Sequence, residues 1–381
     1  MRPREEAERP RDAALSKPPA GRPGSGLARD EARGGPIRDA AVGGTQRDLA
    51  RRNGRGRRGG AERSMVPAAE FRSYYGRPIV KPAIWHREIA AYLFTGGLAA
   101  GSALLAAGGD ATGRPALRRA GRVTALGALG ASAYLLVKDL GRPDRFANML
   151  RVAKPTSPMS MGSWILSAFG AAAGVSAVAE AAPLLPETGA LGLARRALPP
   201  LGTAGQYAAG AVAPALATYT AVLLADTATP SWHAAYPELP FVFAGSSLAS
   251  GAGVGLLAAP TDQAEPARRL AVLGGAMELY GAHRVETGGG ILSEPYRNGR
   301  PGRLLRAGRA LTAAGMAGAL LGRRSRVVSA LSGLSLLTAA VCTRFGIFEG
   351  GIASAQDPKY TVVPQRARID ENARGDKTSS E

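Results

Sequence analysis

Residues 88–109 read EIAAYLFTGGLAAGSALLAAGG, an apolar run whose only charged residue is Glu88 at its start. A helix of about 20 such residues is long enough to cross the roughly 30 Å hydrocarbon layer of a bilayer. Similar runs recur as AFGAAAGVSAVA at 168–179 and ALSGLSLLTAAV at 330–341. A helix of a soluble bundle has a polar face, whereas these runs are apolar or small all round. The pattern therefore predicts membrane-spanning helices.

Eight stretches of this kind follow one another along the chain. They are 88–109, 119–139, 160–182, 203–226, 236–259, 267–285, 304–322 and 326–348. The breaks between them hold proline, glycine or charge, as in GRPDRF at 141–146 and LPPLG at 198–202. We predict an all-α integral membrane protein, multi-pass in the cell membrane, with eight transmembrane helices in residues 88–349 and a C-terminal tail at 350–381. Lys and Arg are nearly balanced between the short loops of the two sides, so the orientation stays open.

The N-terminal region has a different composition. The chain of 381 residues has 48 Lys and Arg against 29 Asp and Glu, and residues 1–64 alone hold 16 basic and 9 acidic residues with few large apolar ones. Such a segment buries too little surface to offset its ordering entropy, so we predict a disordered basic tail. The run RRNGRGRR at 51–58 lacks interleaved aromatic residues, which argues against nucleic-acid binding. Residues 65–87 are an amphipathic lead-in.

The counts of cysteine and histidine limit the redox chemistry of this chain. A single cysteine, Cys342, cannot hold an iron–sulfur cluster or a four-cysteine zinc site. Three histidines are too few for two bis-histidine haems, which need four axial ligands. We therefore expect no metal, haem or iron–sulfur cluster in this chain, and any such centre would belong to a partner.

Glu88 opens the first span in the sequence WHREIAAY at 85–92. Helical spacing would put Trp85, Glu88 and Tyr92 on one face, where a carboxylate and a phenol can meet a ligand with two carbonyl oxygens. The alternatives are structural. Trp85 would then be an interfacial aromatic anchor, and Glu88 would pair with a neighbouring arginine.

Other ionisable groups occur at span ends or within spans. Each has a high free-energy cost in the lipid layer unless it faces protein or water. Asp139 ends the second span, and either pairs with a nearby arginine or relays protons. Asp226 ends the fourth span. Glu278 and His283 lie on the sixth span, about 140° apart around the helix, and together with Asp226 they supply part of a possible proton path.

Four segments carry a resemblance to a known family. They are YYGRPIVKPAIW at 74–85, the pattern E88-x3-Y-x3-GG-x3-G, DLGRPDRFANMLRVAKPTSPMSMGSW at 139–164 and TYTAVLLADTATPSW at 218–232. These segments resemble the NrfD/PsrC family, the integral membrane subunits of polysulfide reductase-like respiratory complexes. The resemblance covers about residues 70–364.

The resemblance implies two four-helix bundles without haem and a quinone site close to a docked, ferredoxin-like iron–sulfur subunit, which exchanges electrons with a molybdopterin catalytic subunit. By motif position, the quinone-binding and proton-relay residues are Glu88, Tyr92, Asp139, Trp164 and His86. The docking surface is the 141–162 loop, with Arg142, Arg145, Phe146, Pro155 and Pro158. Menaquinone and a formate dehydrogenase-like partner are expected by association, since the substrate of the catalytic subunit cannot be read from this chain.

Two other functions remain open from the sequence. Eight apolar spans with central glycine breaks also occur in secondary transporters, although no convincing inverted repeat is present. A purely structural membrane anchor without a quinone site is the other alternative.

Overall fold

The computed structural model describes residues 78–378. The predicted disordered tail at 1–64 lies outside the described residues, as do residues 65–77 of the lead-in and residues 379–381. Within 78–378 the secondary structure consists of helices, with no strand. The prediction of an all-α protein is confirmed for this part of the chain.

Nine helices have 20 residues or more in the described part of the chain. They are α1 (Arg87–Ala111), α2 (Pro115–Asp139), α3 (Pro158–Val178), α4 (Gly189–Ala225), α6 (Leu239–Ala258), α7 (Glu265–Gly288), α9 (Gly299–Leu321), α10 (Arg326–Gln356) and α11 (Lys359–Thr378). Two short helices, α5 (Pro230–Ala234) and α8 (Glu294–Arg297), and 3-10 helices at Pro143–Leu150, Ala179–Leu184 and Gly290–Ser293 lie in the connections.

Local sequence explains several of these helix ends. Pro115 and Pro158 stand in the first turns of α2 and α3, where the missing N–H costs no helical hydrogen bond. The Ser157 side chain caps α3 by accepting a hydrogen bond from the backbone N–H of Ser160, at 3.4 Å. Gly113, with φ +64°, supplies the left-handed residue of the tight turn between α1 and α2.

Six helical segments among the described residues are long and apolar enough to cross a membrane. They are α1, α2, α3 with its 3-10 extension, α4, α6 and α10. The other two predicted spans correspond to α7 and α9, which carry six and four charged residues respectively and fall outside that group. A multi-pass membrane protein is therefore supported, and eight crossings remain a prediction.

The long helices alternate in direction, so their ends gather at two opposite ends of the molecule. We name the first the Glu88 end, where α1 begins and α2 finishes. Three contacts join elements there: Glu88 with Lys138 at 3.0 Å, Trp85 with Trp232 of α5 at 5.9 Å between ring centroids, and Arg300 of α9 with Glu349 of α10 at 3.3 Å.

We name the other the Glu180 end. Three contacts join elements there as well: Glu180 with Arg122 of α2 at 2.9 Å, Arg114 with the carbonyl of Asp262 before α7 at 2.8 Å, and Arg323 of the α9–α10 turn with Glu265 of α7 at 3.3 Å. The starts of α2 and α7 and the ends of α3 and α9 thus lie together.

A close crossing of small residues joins α1 to α6. A side chain at Gly101 of α1 would collide with the backbone carbonyl of Ser247 on α6, and one at Gly251 would collide with the backbone of Gly101. The helices α1 and α6 therefore approach almost backbone to backbone. This is the small-residue packing that membrane helices use where lipid provides no hydrophobic drive between them.

Two local expectations differ from the structure. The LPPLG segment at 198–202, expected to be a loop, lies inside α4, whose 37 residues extend about 55 Å. The residues around Pro199 and Pro200 are mostly exposed, where water can satisfy carbonyls that lose their helical partners. Trp85 does not share a helical face with Glu88 and Tyr92, as their spacing predicts, because α1 begins at Arg87 after an extended His86.

Candidate binding cleft

A cleft of about 910 Å³ opens at the Glu88 end of the molecule. Its walls come from the residues around the start of α1, the end of α2, the start of α9 and the second half of α10. Helices from both halves of the chain therefore build it. Its volume falls in the range of roughly 300–1,000 Å³ that is typical of sites for small organic molecules.

The floor of the cleft is apolar and aromatic. It includes Trp85, Phe345 and Phe348. Behind them the buried indole of Trp232 stacks against Trp85 and lies 5.6 Å from the ring of Phe348. The indole N–H of Trp232 donates a 2.9 Å hydrogen bond to the carbonyl of Ile347. The buried Trp232 thus packs against two of the aromatic residues that line the cleft.

Charged pairs line the walls of the cleft. Glu88 of α1 accepts from Lys138 of α2 at 3.0 Å, and Arg300 of α9 pairs with Glu349 of α10 at 3.3 Å. Each pair joins two helices, and each is partly open to solvent. The cleft therefore offers donors and acceptors on two walls above an aromatic floor.

His86 links the cleft to Asp139. Its Nδ1 lies 3.2 Å from Oδ1 of Asp139, the last residue of α2, while the His86 ring is largely exposed. The carboxylate of Asp139 is mostly shielded by comparison. Asp139 itself does not line the cleft. Its carboxylate is connected to the cleft through His86.

The structure brings together only some of the residues predicted for the quinone site. His86 and Glu88 line the cleft and Asp139 contacts His86. Tyr92 lies one turn further along α1 and is buried in the core, 4% exposed. Trp164 lies on α3, 41% exposed, and is not among the cleft residues.

The predicted docking residues lie mostly on the surface between α2 and α3. Arg142 and Pro155 are exposed, and Phe146 is half-buried in the 3-10 helix Pro143–Leu150. Pro158 is half-buried and begins α3. The side chain of Arg145 lies outside the described part of the structure.

The three residues of the predicted proton path occupy separate positions. Asp226 is exposed at the end of α4, His283 is exposed on α7, and Glu278 is fully buried on the same helix. No hydrogen bond or ion pair within residues 78–378 joins Glu278 to either of the others. Glu278 instead faces residues of α6, α9 and α10.

Sequence reasoning missed most of the residues that line the cleft. Lys138, Arg300, Phe348 and Glu349 all line it, and none was singled out. One sequence feature could have identified Lys138, because this residue directly precedes Asp139 at the end of a predicted span. Arg300 and Glu349 are far apart in the sequence, and only the packing of α9 against α10 brings them together.

The fold and the cleft define a helical, multi-pass membrane protein with a ligand-sized site at one end of its helices. The model of the polysulphide reductase NrfD family matches residues 79–274, which is more than half of the chain. The chain belongs to this family. The matched region contains the α1 and α2 walls of the cleft and ends before α9 and α10. No curated protein matches the chain.

Proposed function

We propose that this protein is the membrane subunit of a respiratory redox complex and that it exchanges electrons between a partner iron–sulfur subunit and a quinone held in the cleft. The observation that carries the proposal is the combination, in a member of the NrfD family, of aromatic side chains and two interhelical ion pairs in the lining of one cleft. A flat ring with two carbonyl oxygens needs both features.

The residues present fit a quinone. Trp85, Phe345 and Phe348 supply apolar surface for the ring and the start of its isoprenoid tail. Lys138 and Arg300 are cationic hydrogen-bond donors on two walls, suited to carbonyl oxygens. A bound quinone supplies two-electron, two-proton chemistry at those oxygens. Menaquinone is the quinone expected.

The protons would be handled by groups of this chain. Glu88 lies on the cleft wall, where the ammonium group of Lys138 holds its carboxylate in place. His86 and Asp139 form a second proton-carrying pair that leads away from the cleft. A positioned carboxylate or imidazole within hydrogen-bond reach is the usual means of proton transfer in proteins. Tyr92 and Trp164 do not line the cleft, so the proposal depends on Glu88, His86 and Asp139.

The electrons would come from outside the chain. One cysteine cannot hold a cluster, so a ferredoxin-like iron–sulfur subunit and a molybdopterin catalytic subunit are the partners proposed. The surface between α2 and α3 follows directly on Lys138 and Asp139, and it is the proposed docking site. Its exposed Arg142 and Pro155 are open to a partner.

We further propose that all eight long helices before α11 cross the cell membrane, as two four-helix bundles. The supporting observation is that α7 and α9 run between the same two ends as the six apolar spans. Glu265 at the start of α7 pairs with Arg323 beyond the end of α9 at the Glu180 end, and Arg300 at the start of α9 lies in the cleft at the Glu88 end. The charges of α7 and α9 would face protein, pair with each other or lie near the water boundary.

Tryptophan fluorescence tests the quinone proposal, because a bound quinone quenches a nearby indole. A short-tailed menaquinone analogue is titrated into the full chain and into the variants Trp85→Phe and Trp164→Phe. Saturable quenching should lose the Trp85 share of its amplitude in Trp85→Phe, where the neighbouring Trp232 still responds, and should keep its full amplitude in Trp164→Phe. Quenching that is equal in both variants, or that never saturates, would contradict a site in the cleft and favour a structural anchor.

Mild solubilisation and affinity purification of the tagged chain test the partners. Mass spectrometry should identify an iron–sulfur protein and a molybdopterin enzyme in the purified complex. A chain that is recovered alone would count against the complex and favour a transporter.

A further inference from the structure

A second polar site lies between the helices α6, α7, α9 and α10, apart from the cleft. Glu278 of α7 is 2% exposed and Arg344 of α10 is 1% exposed. Ionisable side chains at this depth are costly unless each polar atom has a partner.

One side of the Arg344 guanidinium group makes several contacts with α6. Its Nη2 donates hydrogen bonds to the carbonyl of Phe243 at 2.7 Å and to the hydroxyl of Ser247 at 2.9 Å, both on α6. The guanidinium carbon lies 3.9 Å from the centre of the Phe243 ring, a favourable cation–π distance. The Nη1 nitrogen has no hydrogen-bond partner among the described residues.

Glu278 is satisfied only in part. Its Oε2 accepts a hydrogen bond of 3.4 Å from Thr312 of α9. Its Oε1 has no partner among the described residues, and the same holds for the buried hydroxyl of Ser246 on α6, which faces this carboxylate. Glu278 and Arg344 lie close enough to interact electrostatically, but no direct ion pair within 4.0 Å joins them.

Three buried, unpartnered atoms thus belong to one cluster: an acceptor on Glu278, a hydroxyl on Ser246 and a donor on Arg344. A buried water molecule usually makes two to four hydrogen bonds to such groups. A carboxylate that has hydroxyl neighbours but no direct cation is also able to bind a proton, because the neutral acid avoids the cost of an isolated buried charge.

We propose that Glu278, Ser246 and Arg344 form an internal, water-bridged proton-binding site. Glu278 takes up one proton on Oε1 and becomes a neutral acid, whose O–H then donates to the bridging water or to Ser246. Release of that proton restores the carboxylate beside Arg344. The ligands of this site are water and one exchangeable proton.

Few charged groups surround Glu278, so the proposed proton exchange involves this cluster alone. Arg344 from α10 is the charged group that faces it, while α6, α9 and α10 present the hydroxyls of Ser246, Thr312 and Thr343. On α7 itself, His283 is exposed, and Glu286 is paired with Arg309 at 2.7 Å. The site does not depend on the quinone proposal, since none of its residues lines the cleft.

Infrared difference spectroscopy on the full chain in lipid nanodiscs tests the site directly. As the pH falls, a carboxylic-acid C=O band should appear and should shift in D2O, because the proton exchanges through water. The band should be absent in Glu278→Gln and move in Glu278→Asp. Ser246→Ala should change the band position or its titration midpoint.

Glu286→Gln is the matched control, since Glu286 lies on the same helix, is similarly buried and has a direct arginine partner. The band should survive in this variant. A wild-type protein without a Glu278-dependent band at any pH would overturn the proposal. A band that does not respond to D2O would also overturn it, because the site would then be sealed from water.

Discussion

The ammonium group of Lys138 and the carboxylate of Glu88 lie 3.0 Å apart and tie the last turn of α2 to the first turn of α1. Both residues line the cleft, and the neighbouring pair His86 and Asp139 joins the same two helices. Because these pairs are partly exposed, they add little to stability. In the proposed function, these pairs orient polar groups toward the quinone.

Replacement of Glu88 by Gln should weaken binding of the menaquinone analogue about tenfold, or ~1.4 kcal/mol, if the carboxylate acts on the ligand. The affinity is measured by the same fluorescence titration. Glu187→Gln is the matched control, because Glu187 pairs with Arg195 at the Glu180 end and is largely exposed. Equal affinities in wild type and Glu88→Gln would remove Glu88 from the site.

The crossing of α1 and α6 gives a prediction about stability. A methyl group at Gly101 would collide with the carbonyl of Ser247, so Gly101→Ala should destabilise the fold by about 1–3 kcal/mol. Gly108, on the same helix, has open space at its Cβ position, and Gly108→Ala should be neutral or slightly stabilising. Thermal unfolding in detergent compares the two variants, and equal midpoints would mean that α1 and α6 are not so closely packed.

Cysteine accessibility tests the eight crossings in a Cys342→Ser background. Thr112→Cys and Arg142→Cys lie in the turns at the two ends of α2 and should react from opposite sides of the membrane. Asn298→Cys, before α9, should react from the Arg142 side, and Arg324→Cys, after α9, from the Thr112 side. If α7 and α9 do not cross, Asn298→Cys would react from the Thr112 side.

Much of the helical framework could be predicted from the sequence, because apolar runs of membrane length have few alternatives. The predicted first span, 88–109, corresponds to Arg87–Ala111, and the predicted last span, which begins at 326, coincides with the start of α10. The predicted fourth span, 203–226, lies within α4, but the loop predicted at 198–202 is wrong, because Pro199 and Pro200 stand in an exposed part of that helix.

The cleft could be predicted only in part. The local sequence identifies Glu88 and His86 as candidate site residues, because both lie at the start of an apolar run. Nothing local distinguishes Phe348 or Glu349 from other residues of α10, and their role depends on the packing of α10 against α1 and α9. Only Glu278 of the buried polar cluster could be singled out from the sequence, because its neighbour Arg344 reads in sequence as a residue near the end of a span.

Photoaffinity labelling tests the central claim most directly. An azido-menaquinone analogue is activated by light in the purified native complex, and the labelled peptides are mapped by mass spectrometry, with excess unlabelled quinone as competitor. We predict competable labelling within 85–91 and 345–356, the two segments that supply most of the residues lining the cleft. Competable labelling confined to other helices, or none at all, would contradict the account.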